Sequence, residues 1–295
     1  MIDKLEMFIA LAREEHFGHA SESLGITQPT LSAGIKQLEN QLGVQLVYRG
    51  SRYGGLTPEG ARVLDWARRI VGDVRVMKQE MRAAREGLSG DIRLAVIPTA
   101  LPMVADLTSA FSKEHTNVRF TILSRSSIEI LDMLEGLQID GGITYLDNEP
   151  LGRVATVPLY EEDYAVICQK GSDLAKRSKL EWSDLADAPL CLLTPDMQNR
   201  RIINQNLAAA GITPTPTVES NSTLVLVSHV ETGQWVTILP LRIAAFLTTG
   251  KDLTSVPLSA PERSHSIGLI AADRDPQTPV MAALLGYASR IAKRR

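Results

Sequence analysis

The chain has 295 residues, of which 44% are hydrophobic and 22% charged, with a formal net charge of −3. That length supports two or three packed units, and the near-neutral balance excludes a strong overall attraction to nucleic acid or membrane, so any such contact must come from local charge. No apolar run reaches the ~18 residues that span a bilayer, the opening MIDKLEMF carries acids and lacks a secretory apolar region, and two cysteines, Cys168 and Cys191, do not make a disulfide framework. A cytoplasmic protein without a membrane partner is expected.

Leu5, Phe8, Ile9 and Ala12 recur at helical spacing and predict an opening amphipathic helix. Two short helices follow, with Ala20, Leu24, Leu31, Ile35, Leu38 and Leu42 on one apolar stripe and Gly25 breaking the first. Thr27 is a good N-cap, and Pro29 fits the first helical turn, where a missing N–H costs nothing. An ordinary helical hairpin shares this stripe, whereas the short Gly-containing turn points to a helix-turn-helix. Residues 44–48 are β-prone, 51–55 form a Gly-rich tip, and Leu56-Thr57 returns, which reads as a two-stranded wing. Residues 1–60 are not basic overall, but from Gln28 to Gly55 Lys36, Arg49 and Arg52 face only Glu39.

Thr57 then caps a long helix over 58–87, with Pro58 at its first position and Glu59 at its positive end. Val63, Ala67, Ile70, Val74, Met77, Met81, Ala84 and Leu88 alternate in steps of four and three, a narrow a/d seam. Such a seam favours a helix that pairs with its copy over one laid along its own domain, whose stripe would be wider. After Ser89-Gly90 strands alternate with helices: strands at 92–97, 118–123, 141–145, 164–169, 190–193, 217–219, 235–239 and 267–271, helices at 103–111, 128–137, 197–210, 224–231 and 280–291. The βαβα order predicts a parallel sheet flanked by helices, and two similar α/β lobes with a cleft between them. The Glu161-Glu162-Asp163 stretch reads as a solvated connection.

Phe8, His16-Phe17, Ala20, Leu24, Thr27-Gln28-Pro29, Leu31-Ser32, Ile35, Leu38-Glu39, Leu42-Gly43, Leu46, Arg49 and Leu56-Thr57-Pro58-Glu59-Gly60 closely resemble the N-terminal pattern of LysR-type transcriptional regulators. The resemblance implies an α/β protein: an N-terminal winged helix-turn-helix (1–58), a dimerisation linker helix (59–89) and a two-lobed, periplasmic-binding-protein-like effector domain (90–295). Lobe I would hold 90–160 and 267–295, and lobe II 161–266. It implies double-stranded DNA with a pseudo-palindromic operator, a dimer through the linker helix or a homotetramer, and contact with RNA polymerase.

In a helix-turn-helix the start of the second helix meets base edges. That segment holds Thr27, Gln28, Pro29, Thr30, Ser32 and Lys36. Gln28 can pair with adenine, Thr30 offers a methyl to thymine, and Lys36 reaches phosphate. By resemblance, Arg49 and Arg52 of the wing hold backbone or minor groove. The family often carries a long polar residue where this chain has Ala33 or Gly34, which removes base contacts here. Gly34 costs about 1 kcal/mol inside a helix, and close approach of another backbone would account for it.

Ligands of open α/β sheets bind at the carboxyl ends of strands, where helix N-termini suit anions. Hydroxyl and amide residues recur there: Thr99 within Pro98-Thr99-Ala100, Ser126-Ser127, Thr194, and Ser220-Asn221, with Asn199 and Arg200 as secondary positions. Each alone reads more readily as a plain N-cap; together they predict a pocket for a small organic anion, with no cofactor. No metal site is expected, because His16 and His19 lack further ligands and His115, His229 and His265 are scattered. Cys168 and Cys191 lie in apolar strands, where an inert buried thiol is the default and a redox switch the alternative. An enzyme or a metabolite carrier using the two-lobed domain is the rival class, although no Walker loop, G-x-S-x-G or H-E-x-x-H occurs.

Overall fold

The computed structural model describes residues 1–49, 53–147, 150–260 and 264–293. The N-terminal head comprises α1 (Ile2–Glu14), α2 (Phe17–Ser23), α3 (Gln28–Leu42), and a wing of β1 (Val47–Arg49) against β2 (Tyr53–Leu56). His16 caps α2, its Nδ1 accepting from the N–H groups of Gly18 and His19 at 3.1 and 3.3 Å. Thr27 caps α3, its hydroxyl accepting from Thr30 N. Leu5, Phe8, Leu11, Leu31, Ile35 and Leu38 form the core of the head. No backbone atom approaches Gly34: a Cβ there would fall 2.4 Å from Met7 Sδ of α1, part of a flexible side chain that can move aside.

Helix α4 (Pro58–Glu86) starts beneath the wing. Thr57 Oγ1 donates to Gln45 O at 2.6 Å and accepts from Gly60 N at 2.9 Å. A Cβ on Gly60 would lie 2.0 Å from Leu46 O, so the Thr-Pro-Glu-Gly sequence seats the helix directly on the strand entry. The helix serves two faces. Leu64, Ala67, Val71 and Val76 are buried against the chain itself, whereas Ile70, Met77 and Met81 of the a/d seam stay exposed, with Trp66 beside them.

Beyond α4 come β3 (Gly90–Val96), a 3₁₀ turn (Pro98–Ala100), α5 (Leu101–Glu114), β4 (Val118–Ser124), α6 (Ser127–Glu135), β5 (Gly141–Tyr145) and β6 (Val154–Glu162). The second lobe holds β7 (Tyr164–Gln169), β8 (Cys191–Leu193), α7 (Gln198–Ala209), β9 (Val218–Ser220), α8 (Thr223–Glu231), β10 (Thr237–Pro240), α9 (Leu241–Thr248) and β11 (Leu253–Pro257). Strand β12 (His265–Ala272) and α10 (Pro279–Ala292) return to the first lobe.

The first-lobe sheet has the order β4-β3-β5-β12-β6. It is mixed, not wholly parallel: β3 runs parallel to β4 and β5, while β12 runs antiparallel to β5 and β6. In the second lobe β10-β7-β11 is joined through the Leu190–Val236 bridge to the β8-β9 pair. Strands β6 and β11 and helix α9 were not expected. Pro158 lies where β6 slips one residue against β12, a bulge on an edge strand that hides the strand pattern. Among the described residues no helix is long and apolar enough to cross a membrane.

Candidate nucleic-acid interface and interlobe cleft

Thr27, Gln28, Pro29, Thr30, Ser32 and Lys36 are all exposed along the first turns of α3, while Leu31, Ile35 and Leu38 of the same helix are buried. The amphipathic period alone separates these faces. The free face presents hydroxyl, amide and ammonium groups at the positive end of a helix, suited to base edges and phosphates. Tyr48 on β1 is exposed. Of the two wing arginines, Arg52 and the Arg49 side chain lie outside the described residues. Glu39, the one acid of this region, is buried and accepts from Leu46 N at 3.0 Å, so it serves the fold.

The cleft lies where the chain crosses between lobes, at β6 to β7 and again at β12. The 3₁₀ turn after β3, the start of α6 after β4, and the end of β5 share the carboxyl edge of the first sheet. Pro98, Thr99 and Ala100 are buried there, and the hydroxyls of Thr99 and Ser127 find no protein partner. From the second lobe Thr194 Oγ1 and Asn199 Oδ1 are likewise buried and unpartnered. A buried polar group without a partner is costly, and these four stand after strands of both lobes or at the helix that follows one.

The remaining expected residues have structural duties. Ser126 caps α6: its hydroxyl accepts from Glu129 N at 3.3 Å, and Glu129 accepts from Ser126 N at 2.8 Å. Ser220 accepts from Ser222 N, and Asn221 is exposed. Arg200 is buried but committed, Nη1 donating to Leu193 O and Glu219 Oε1, both at 2.6 Å.

The middle of the cleft was missed in the sequence. Glu162 is no solvated connector: it is 2% exposed, at the end of β6. Its Oε2 accepts from the hydroxyls of Tyr145 (2.5 Å) and Tyr164 (3.0 Å). Asn199 Nδ2 donates to Tyr145 Oη at 3.1 Å. Burial outweighs these hydrogen bonds and pushes the Glu162 carboxyl up to about 7. Next to it, His265 Nδ1 meets Asp147 Oδ2 at 2.8 Å, and Gln198 Nε2 donates to Asp147 O at 3.1 Å. His265 and Glu162 are register partners of β12 and β6. Strict alternation would not have found Glu162: Leu159 and Glu162 are both buried while Glu161 between them is exposed, because the strand slips one residue at Leu159.

One helix joins the two regions. α6 begins at Ser127 in the cleft and ends at Glu135 beside α4, where Arg68 pairs with Glu135. Just past it, Leu137, at φ 57°, packs into the core of the head, and its carbonyl accepts from both Arg75 Nη atoms at 3.3 Å. Arg274 crosses α4 at Gly72, where a Cβ would fall 1.5 Å from its Nη1.

Cys168 and Cys191 are fully buried in β7 and β8. Burial raises both thiols, that of Cys191 to about 11. Among the described residues no group of three or more His, Cys, Asp and Glu could hold a metal ion.

Two family models match. Residues 2–61 fit a bacterial regulatory helix-turn-helix protein of the lysR family, and residues 85–292 a LysR substrate binding domain. A probable hydrogen peroxide-inducible genes activator of Mycobacterium avium is 28% identical over 287 residues, 96% of this chain and 92% of the relative. A full-length OxyR variant from Pseudomonas aeruginosa superposes with a TM-score of 0.73 at 24% identity, over 98% of this chain and 94% of that one. Full-length CbnR in complex with its target DNA gives 0.63 at 21% identity, over 99% of both chains.

Proposed function

The chain belongs to the lysR family of bacterial regulatory helix-turn-helix proteins and is a DNA-binding transcriptional regulator; we propose that a small organic anion between the two lobes sets how its heads meet DNA. The observation that carries this reading is α6, one rigid element with its first residue in the cleft and its last turn against the head and linker. A ligand that binds one arrangement of Ser127 better than another thereby biases Leu137. A carboxylate at Thr99 and Ser127 would meet two unpartnered hydroxyls beside helix N-termini.

The exposed seam on α4 supports a homodimer in which Trp66, Ile70, Met77 and Met81 are covered, and a homotetramer would follow from pairing of the effector domains as well. Two heads then read a pseudo-palindrome.

The test is selection of genomic fragments by the purified protein, followed by footprinting with a panel of carboxylates. A dyad-symmetric site should be enriched, and its footprint should shift with one of the carboxylates. Leu137→Gly, which keeps the left-handed backbone available, should bind that carboxylate and lose the shift. A footprint shift that persists in Leu137→Gly would remove α6 as the route.

A cysteine-based redox regulator is the second reading, favoured by the peroxide-activator name of the Mycobacterium relative. Peroxide attacks thiolates, and both thiols here are buried and held protonated. Peroxide should therefore leave the footprint unchanged.

A further inference from the structure

We infer that the ligand of the cleft carries an ammonium or similar cationic nitrogen at the end facing the crossover strands, opposite its carboxylate, and so belongs to the amino-acid-like zwitterions. This rests on the cleft being the ligand site. The argument starts from where each proton goes. The Tyr145 hydroxyl gives its only proton to Glu162 Oε2, so toward Asn199 it can only accept. The Asn199 atom facing it must be the amide nitrogen, which leaves Oδ1 as a free acceptor. Gln198 faces the backbone oxygen of Asp147, so its nitrogen is spent there and Oε1 is left over. Glu162 Oε1 and Asp147 Oδ1 are the unused oxygens of the two carboxylates. Four buried oxygens therefore remain at one end of the cleft, and carbonyl and carboxylate oxygens accept hydrogen bonds without donating them.

The basic side chains whose contacts place them at this end already have acidic or carbonyl partners. His265 is engaged with Asp147, and Arg200 with Glu219 and Leu193 O. A second carboxylate brought to this end would meet three acceptors and at most one proton, that of Glu162 in its neutral form, whereas an ammonium meets acceptors at all four positions once Glu162 is ionised. An ammonium has three donors and the opposite charge, and it would hold Glu162 ionised in a site where burial alone favours the neutral acid. Gln198, Asn199 and Glu162 are each less than 5% exposed, so solvent does little to satisfy these oxygens. At the other end Thr99 and Ser127 offer hydroxyls that donate to a carboxylate. The two ends together fit a zwitterion.

The experiment is a thermal-shift and calorimetric screen of the full-length protein at pH 7.5. The twenty common α-amino acids are compared with their deaminated acids and decarboxylated amines. At least one amino acid should bind, with its deaminated acid weaker by about tenfold or more. Glu162→Gln should weaken the amino acid by about tenfold or more and leave the affinity for the deaminated acid within about threefold. Asp147→Asn, at a half-exposed position that tolerates change, should weaken the amino acid by a smaller factor, and circular dichroism checks both folds. If deaminated acids bind as well as the amino acids and lose affinity in Ser127→Ala, the cationic end is overturned while the cleft stands. If no compound of any set binds, both the zwitterion and the cleft reading fall.

Discussion

The head and the cleft solve opposite problems with the same kinds of residue. In the head, polar groups are either exposed or hydrogen-bonded within the fold, as caps or, like Glu39, to a strand entry, and no described residue up to Thr57 holds a buried polar side-chain atom without a partner. In the cleft such atoms collect around Glu162, and the carboxyl is displaced from its ordinary range by burial. A surface that meets DNA can leave its donors in water until contact, because phosphates and bases are themselves wet. A pocket that closes on a small molecule has no such reservoir, so the cost of unpartnered oxygens is carried by the free protein and relieved by the ligand.

The contrast can be attacked at several points. The largest effect should come from Gly60→Ala, which forces a methyl group into Leu46 O at the seat of α4. It should destabilise the head by about 3 kcal/mol or more, read as a lower melting temperature and faster hydrogen exchange in α1 and α3. Next, Gln28→Ala should weaken operator binding about 5- to 150-fold with unchanged circular dichroism, since the side chain is exposed. A loss of fold instead would blur the division between contact face and core.

Glu162 gives a test by pH. Its carboxyl titrates near 7 in the folded chain against an ordinary 4.5. Between those values the folded state binds the extra proton, so this group costs stability progressively as pH rises from about 4.5 through 7. Glu162→Gln should raise the melting temperature at pH 8 by about 2–4 °C and change it little at pH 5. An equal gain at both values would mean that the carboxyl is not displaced. The smallest effect belongs to Lys36→Ala, which should lower DNA affinity for all sequences alike and reduce the salt slope by about 1.

The head was legible because its information is local. Helix period, N-caps and the Thr57-Pro58 start lie within a few residues of the structure they specify. The start of α4 was legible for the same reason, but of its expected a/d seam only part stays exposed, since Ala67 is buried and Val63 packs on the core of the head, and the face that binds Arg274 and Leu137 depends on residues far along the chain. The cleft was read only at its rim. Thr99 and Ser127 stand after strands and could be found by that rule, and Asn199 was named as a secondary position, but Tyr145, Glu162 and Tyr164, which it joins, meet only after three strands and a helix have been placed. Glu161-Glu162-Asp163 resembles a wet linker, and only the pairing of β6 with β12 turns one of its carboxylates inward. Ser126 was found by the same rule, and its hydroxyl is taken up in capping its own helix.

Helix α6 and Leu137 also alter the mechanics of the chain. A head joined to its effector domain by a linker alone would be a tethered body, free to search a volume set by linker length. Here the covalent path through α4 and the packed path through α6 meet again at Leu137, Arg75 and Arg68, and they form a closed loop. A closed loop has a bearing rather than a reach. In the proposed dimer along α4, the separation of the heads on DNA would be an angular property set inside each chain, and turning α6 would be the way to change it.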